Sequence, residues 1–221
     1  FGPLSADISL NRDYRSTPQI VNYANRVLKA SPQRDDYLVL QSGREQGPRV
    51  TQTVYASDTE EAQGVAMRIA KLASQGVSPS DCAILTRINA QQQILCKALQ
   101  EQHLRYRIRR DSGWQNSALA DDAQTRLAML EALGVGSDMN GVTISTIHAS
   151  KGLEFKHVFL IGCSEGLLPY GSPQDGDQLE EERRLLYVGV TRAEDTLHLS
   201  YARSKDGLND GRGRRVSRFL S

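Results

Sequence analysis

The chain has 221 residues, which is long enough for one large domain or two small ones. Its 39% hydrophobic content excludes a disordered chain, and its net charge of +1 means that any basic surface must be local. The three cysteines form no Cys-x-x-Cys pair, which argues against a disulfide framework or a zinc ribbon. Because the sequence has no signal-peptide pattern and no apolar run that could span a bilayer, we expect a cytoplasmic protein with no membrane partner.

Strands and helices alternate over the first half of the chain. A helix is predicted from Pro18 onward with Thr17 as its cap, because proline fits the first helical position and a hydroxyl can accept from the first turn. Apolar spacing then predicts a strand at residues 49–55, a helix at 59–74, a strand at 82–86, a helix up to 102 and a strand at 104–109. This order favours βαβ units around a parallel sheet.

The chain is organised around residues 142–161, which read VTISTIHASKGLEFKHVFLI. The first six residues alternate between apolar and hydroxylated types and are rich in β-branched residues, and the last six end in an apolar run, so both ends are predicted as buried strands. Between them lies a loop dense in donors and acceptors, with Gly152 to let the backbone approach a ligand. Ligands of open α/β sheets bind at strand ends, so we expect one working edge there; a merely solvated connection is the alternative.

The remaining segments are predicted from weaker patterns. Residues 111–140 indicate a short linker with one helix at 120–133, residues 179–192 a helix, and residues 196–201 a final strand. Arg192 falls between that helix and strand, where it could reach a neighbouring domain or simply pair with Glu194 or Asp195 on the surface. The basic residues after position 202 are interpreted as a solvated tail; they are Arg203, Lys205, Arg212, Arg214, Arg215 and Arg218.

Four segments resemble motifs of superfamily 1 DNA helicases of the UvrD/Rep/PcrA type. Residues 11–18 (NRDYRSTP) are similar to motif IV, usually NYRS, with Asp13 where Asn is usual, and residues 83–91 (AILTRINAQ) to motif IVa. Residues 142–159 (VTISTIHASKGLEFKHVF) resemble motif V and residues 180–193 (EEERRLLYVGVTRA) motif VI. The resemblance covers nearly the whole chain and implies the second RecA-like motor domain, an α/β domain with a mainly parallel sheet.

The resemblance also implies a nucleotide site. By position Tyr14 would stack on adenine, Arg15 would contact the γ-phosphate, and Glu154 would hold the ribose. Gly152 would lie beside the nucleotide and Arg192 would be the arginine finger. These residue types suit the roles, because an aromatic face fits a base, a carboxylate accepts from hydroxyls, and a guanidinium stabilises phosphoryl charge.

Single-stranded DNA is the second ligand that the resemblance implies. Its contacts would come from Arg87 and Asn89 of motif IVa and from Thr146, His148 and Ser150 of motif V. Short hydroxyls and amides suit phosphate contacts that do not read bases. The parent protein is therefore expected to be a nucleoid-associated, ATP-dependent helicase or translocase that moves 3′ to 5′.

Two departures from the family pattern limit what this chain could do alone. It contains no Gly-Lys and no Asp-Glu dipeptide, so it lacks its own phosphate loop and the pair that holds magnesium and activates water. We expect ATP and Mg²⁺ to be bound mainly by a first RecA-like domain that precedes Phe1, no metal site in this chain, and no ATP hydrolysis by this chain alone. The family also usually inserts a large helical accessory domain near residues 111–140, so that domain is either naturally reduced or deleted here.

Two other classes of function remain to be weighed. A helicase-like DNA- or protein-binding module without motor activity is the main alternative, although it has no use for a γ-phosphate contact by Arg15 or Arg192. An ordinary nucleotide-binding α/β protein is excluded by the missing phosphate loop.

Overall fold

The computed structural model describes residues 11–109, 140–171, 173, 176–204 and 213–220. The linker and helix predicted at 111–140 lie outside these residues, except for Asn140. The described α-helices are α1 (Pro18–Lys29), α2 (Asp58–Ser74), α3 (Gln92–Glu101) and α4 (Asp177–Val190), and short 3-10 helices occur at Arg34–Asp36, Pro79–Asp81 and Asn89–Gln91. The described strands are β1 (Arg12–Asp13), β2 (Gln41–Ser42), β3 (Thr51–Ser57), β4 (Cys82–Thr86), β5 (Tyr106–Arg109), β6 (Val142–Thr146), β7 (Phe155–Leu160) and β8 (Ala193–Ser204).

Six of these strands form one sheet in the order β3-β8-β7-β4-β6-β5, and every neighbouring pair is parallel. The predicted α/β fold with a mainly parallel sheet is therefore confirmed. Strands β1 and β2 form a separate two-stranded parallel sheet. Because all six strands run the same way, the sheet has one edge of amino ends and one edge of carboxyl ends, and this distinction decides where each motif lies.

Helices cover both faces of the sheet. The alternation along β4 shows this directly, because Ala83 and Leu85 belong to a core shared with α1 and α4. Cys82 and Ile84 point the other way, into a core shared with α2 and α3. All five residues of β4 are buried, as an apolar run in a central strand requires.

The start of α1 is set by tertiary contacts and not by the predicted cap. Thr17 occupies the N-cap position, but its side chain makes no capping hydrogen bond. Its backbone N–H instead donates to Glu194 O at 3.0 Å, and Ser16 Oγ donates to Ala193 O at 2.7 Å. These two bonds fasten the segment before α1 to the start of β8, which brings motif IV against motif VI.

The basic C-terminal segment is docked, so the prediction of a solvated tail is wrong for residues 213–220. Arg218 Nη2 lies 2.7 Å from Glu165 Oε2, and Arg214 forms an ion pair with Asp58. Phe219 is buried, and the guanidinium of Arg183 lies 4.9 Å from the centre of its ring. The two acidic partners are distant in sequence, so nothing local to the tail indicated them.

Candidate functional site

The residues assigned to the nucleotide lie together at the amino edge of the sheet. Glu154 directly precedes β7 and Arg192 directly precedes β8, and these two strands are neighbours. Phe155 N donates to Arg192 O at 2.9 Å, which joins the two approaches. Because Thr17 is bonded to Glu194, the turn that carries Tyr14 and Arg15 lies at the same edge. We call Tyr14, Arg15, Gly152, Glu154 and Arg192 the amino-edge cluster.

Arg15 and Glu154 form an ion pair in which Nη2 lies 2.7 Å from Oε1. The turn before them is fixed by Asp13 Oδ1, which accepts from Arg15 N at 2.7 Å and from Ser16 N at 3.2 Å. These bonds need only an oxygen acceptor, so Asp13 can replace the usual Asn without loss of the turn.

Arg192 is held by backbone carbonyls and not by a surface carboxylate. Its Nε donates to Val188 O and its Nη1 to Leu153 O, each at 3.1 Å. Burial lowers the pKa of Arg192, and the charge of Arg15 lowers it further. The alternative of pairing with Glu194 or Asp195 is not realised, since Asp195 pairs with Arg44 at 2.8 Å.

Tyr14 presents an aromatic face at this edge, since the residue is 70% exposed. Its ring lies close to Gly43, where an added Cβ would be 2.9 Å from Tyr14 Cδ1, and the guanidinium of Arg12 lies 5.3 Å from the ring centre. Gly152 has φ +80°, a left-handed conformation that favours glycine, and no atom lies within 4 Å of where its Cβ would be. The backbone at Gly152 is therefore open to a ligand.

The residues assigned to DNA lie at the opposite, carboxyl edge. Arg87 and Asn89 follow β4, while Thr146, His148 and Ser150 end or follow β6, and these two strands are neighbours. The two sets of assigned residues therefore lie at opposite edges of the sheet, and the nucleotide set unites motifs IV, V and VI at the amino edge. A six-residue parallel strand rises about 20 Å, which sets the separation between the two edges.

Arg87 is already paired at the carboxyl edge. Its Nη2 lies 2.6 Å from Glu182 Oε1, and its Nε lies 3.0 Å from Glu182 Oε2. Glu182 also accepts from Tyr170 N at 2.9 Å, and the guanidinium of Arg87 lies 5.2 Å from the centre of the Tyr170 ring. Arg87 thus holds α4 and Tyr170 in place at this edge.

Two of the motif V side chains shape the loop from within. Thr146 Oγ1 accepts from Ala149 N at 3.1 Å, and Ser150 Oγ donates to Ile147 O at 2.7 Å. Ser150 is fully buried, which differs from the surface position that a DNA contact needs. His148 is half-buried, and Asn89 Oδ1 is buried without a hydrogen-bond partner in the described part of the chain.

The structure adds residues that were not selected from the sequence alone. Tyr170 is 52% exposed at the carboxyl edge, although a lone Tyr in a Gly/Pro-rich segment indicates no role by itself. Glu182 pairs with Arg87, and no sequence signal indicated this pairing. Arg44 donates to Arg15 O at 2.7 Å and so helps to place the motif IV turn.

Two kinds of feature were not found in the residues that the structure describes. No group of three or more His, Cys, Asp or Glu side chains in these residues is arranged to hold a metal ion. In the same residues, every helix is too short or too polar to cross a membrane.

An all-parallel sheet with helices on both faces and this arrangement of motifs defines a RecA-like α/β domain of the helicase class. The sequence profile of the UvrD-like helicase C-terminal domain matches residues 8–113 and 122–204, and the chain belongs to that family. The chain is 32% identical to the ATP-dependent DNA helicase UvrD2 of Mycobacterium tuberculosis H37Rv, over 99% of this chain and 42% of the relative. It is 40% identical to the ATP-dependent DNA helicase Rep of Escherichia coli K12, over 42% of this chain and 14% of the relative.

A solved structure supports the same fold. The C-terminal domain of a possible DNA helicase from Lactobacillus plantarum WCFS1 superimposes with a TM-score of 0.56, covering 95% of this chain and 92% of that one. The two sequences are 21% identical, so this likeness concerns the fold alone. The chain spans 42% of the length of UvrD2, so it corresponds to less than half of that helicase.

Proposed function

We propose that this chain is the second motor domain of an ATP-dependent DNA helicase or translocase. The observation that carries the proposal is the convergence of Arg15, Glu154 and Arg192 at one edge of the sheet. Three separate motifs supply these residues, and two cations beside one carboxylate suit a nucleotide that bears phosphates and a ribose. The family relationship to ATP-dependent DNA helicases supports the same conclusion.

In this proposal the nucleotide site lies between two domains, and the amino-edge cluster supplies the part that belongs to this chain. Tyr14 stacks on adenine, Glu154 accepts from the ribose hydroxyls, and Arg15 exchanges its ion pair with Glu154 for a phosphate oxygen. Arg192 leaves the carbonyls of Val188 and Leu153 when the two domains close, and its guanidinium then stabilises the charge of phosphoryl transfer. Because Gly152 has no side chain, the nucleotide can approach the backbone closely there.

Mg²⁺ would be held mainly by the first motor domain together with the phosphates of ATP. The amino-edge cluster fits this division, because its described side chains include one carboxylate, Glu154, and Arg15 already pairs with it. Mg²⁺ neutralises phosphate charge when bound, and this chain's contribution is to position the nucleotide from the other side with arginines.

The carboxyl edge is proposed to hold single-stranded DNA. His148 and Asn89 are partly exposed there and offer polar groups to the DNA backbone. Thr146 stabilises the loop by accepting a hydrogen bond from Ala149 N. The side chain of Ser150 is buried, so this residue acts through the conformation of the loop. The exposed ring of Tyr170 adds a surface on which a base can stack, and Arg87 fixes its position from one side.

Further features of the parent protein are proposed from the family. We infer movement in the 3′ to 5′ direction and a place on nucleoid DNA. We also infer that the accessory domain is either naturally reduced or deleted here, which the alignment with UvrD2 supports because it runs over 293 positions although this chain has 221 residues.

The competing function is a DNA- or protein-binding module without a motor. It predicts no role for Arg192 in hydrolysis, so one experiment separates the two. The ATPase rate is measured for the isolated chain and for the full-length polypeptide that contains it, with and without single-stranded DNA. We expect hydrolysis only from the full-length protein, and a loss of about 10³-fold or more in DNA-stimulated hydrolysis on Arg192→Ala.

The control for this experiment is Arg184→Ala, which removes an exposed arginine of α4 that donates to Tyr37 and Gln33. It should leave hydrolysis unchanged. Robust hydrolysis by the isolated chain that survives Arg192→Ala would refute the motor proposal. A full-length protein that binds DNA but shows no DNA-stimulated hydrolysis would favour the binding module.

A further inference from the structure

A cavity of about 320 Å³ opens on the α2 face of the sheet, apart from the amino-edge cluster and from the residues assigned to DNA. Three cations line it: Arg49 precedes β3, while Arg68 and Lys71 lie on α2. Its apolar wall includes Leu72, Phe159 and Leu197. None of the described residues that line the cavity is acidic.

His198 lies in the wall of this cavity with one nitrogen unpaired. Its Nδ1 is hydrogen-bonded to Thr51 Oγ1, and its Nε2 is buried with no partner in the described part of the chain. When Thr51 donates to Nδ1, the proton of the neutral ring is on Nε2, which is then a donor without an acceptor. A buried donor without a partner is unfavourable, so in this tautomer the site favours a ligand that places an acceptor at Nε2.

The electrostatics of the cavity favour an acceptor that carries negative charge. Burial, and after it the charge of Arg68, lowers the pKa of His198 to about 4, so the ring is neutral near pH 7. Arg68 Nη2 donates to Thr53 Oγ1 at 3.1 Å, which holds this guanidinium beside the cavity. An anion would face the guanidiniums of Arg49 and Arg68, the ammonium of Lys71 and the imidazole N–H together.

We propose that this cavity binds a phosphate group, either as free phosphate or as a phosphodiester of a nucleic acid. A phosphate offers several acceptor oxygens in a compact tetrahedron, which suits a cavity lined by donors from the segment before β3, from α2 and from β8. The apolar wall lowers the local dielectric constant and strengthens each of these contacts. This site is additional to the proposed nucleotide and DNA sites, since it lies on the face covered by α2.

The test is an NMR titration of the histidine-labelled 221-residue chain with inorganic phosphate at constant ionic strength. We expect a saturable shift of His198 Nε2 and a rise in the pKa of His198 as phosphate binds. The double variant Arg68→Ala/Lys71→Ala should weaken phosphate binding at least tenfold. These residues are exposed, so the variant keeps the core intact.

The matched control is Lys29→Ala/Lys97→Ala, which removes the same charge from exposed positions on α1 and α3 and should leave the titration unchanged. A His198 resonance that phosphate does not move, or an equal titration of the Arg68→Ala/Lys71→Ala variant, would overturn the proposal. A second titration with a short oligothymidylate identifies the source of the phosphate. Competition with inorganic phosphate at His198 assigns the site to a nucleic-acid phosphodiester, and no shift of His198 assigns it to free phosphate.

Discussion

Arg15 Nη2 and Glu154 Oε1 lie 2.7 Å apart, in a pair whose side chains are 46% and 36% exposed. The pair between Arg87 and Glu182 is as short, at 2.6 Å, but its side chains are only 17% and 11% exposed. The two ion pairs therefore have different roles. The exposed pair can exchange partners at small cost when a nucleotide arrives, and the buried pair fixes α4 to the carboxyl end of β4.

The first prediction compares the stability of these two pairs. Glu154→Gln should change the free energy of unfolding by less than about 1 kcal/mol, because an exposed ion pair contributes little. Glu182→Gln should cost about 2–3 kcal/mol, because it leaves Arg87 partly buried without its charged partner. Urea denaturation of both variants at one salt concentration measures the difference. Equal losses in the two variants would contradict this division.

The second prediction concerns Tyr170 and single-stranded DNA. Tyr170→Ala should weaken binding of an oligothymidylate by roughly 5- to 150-fold, since one base–aromatic stack contributes about 1–3 kcal/mol. Tyr170→Phe keeps the ring and is the matched control, with affinity close to that of the wild type. No charge is removed, so the salt dependence of binding should be the same in all three proteins. Fluorescence anisotropy measures both quantities, and an unchanged affinity for the Ala variant would exclude a stacking role.

The third prediction concerns pH and the buried His198. Its pKa is lowered from 6.5 to about 4 in the folded chain, mainly by burial, so the unfolded chain binds the proton more readily. The stability that this provides is fully present above pH 6.5 and is lost as the pH falls towards 4. His157 has its pKa lowered by burial as well and acts in the same direction. Between pH 7.5 and 5 we therefore expect the contribution of His198 to the free energy of unfolding to fall, whereas buried Glu61, whose pKa is raised by burial, acts in the opposite direction.

The measurement is urea denaturation across this range in buffer without phosphate, for the wild type and for His198→Phe. As the pH falls, the free energy of unfolding of the variant should decrease less than that of the wild type, because His157 is the only one of these two histidines that still contributes. Direct titration of the His198 imidazole by NMR provides an independent check that does not depend on the variant. A His198 pKa near 6.5 would contradict the prediction.

The bounds of strands and helices could be predicted from the sequence where they depend on nearby residues. The strand at Cys82–Thr86 was predicted with its observed bounds, because an apolar run between polar turns indicates a buried strand without knowledge of the rest of the fold. Helix α2 begins at Asp58, one residue earlier than predicted, because Ser57 Oγ accepts from Glu60 N and caps it there. Local errors of this kind are small.

Contacts between distant segments could not be obtained in the same way. The motif residues were identified by resemblance, but which of them are neighbours follows from the strand order, which places β4 beside β6 and β7 beside β8. The pairing of Arg87 with Glu182 and the docking of Arg218 on Glu165 are likewise properties of the folded chain. A polar residue indicates that it needs a partner, and only the fold determines which one.

The last prediction concerns coupling between the two edges through the motif V loop. The segment from Ile147 to Glu154 runs from the carboxyl end of β6 to the amino end of β7. Its first half is packed, since Ile147, Ala149 and Ser150 are buried and Ile147 N donates to Thr86 O at 2.9 Å, and Leu153 N donates to Ser150 O at 3.0 Å. Helix α4 approaches closely there, where a Cβ on Gly189 would lie 3.5 Å from Ile147 Cγ1. A short, packed segment of this kind should transmit a displacement at Glu154 to the DNA edge.

His148 is the side chain of this segment best placed to sense DNA, because it is half-buried at the carboxyl edge. In the full-length protein, His148→Ala should therefore reduce the stimulation of ATP hydrolysis by single-stranded DNA and leave the basal rate unchanged. Arg192→Ala should instead abolish the stimulated hydrolysis and leave DNA binding in the absence of nucleotide nearly intact. The control is His103→Asn, which replaces an exposed histidine whose φ of 55° an asparagine tolerates. ATPase rates measured against DNA concentration decide the matter, and an unchanged stimulation curve for His148→Ala would show that His148 only supports the loop.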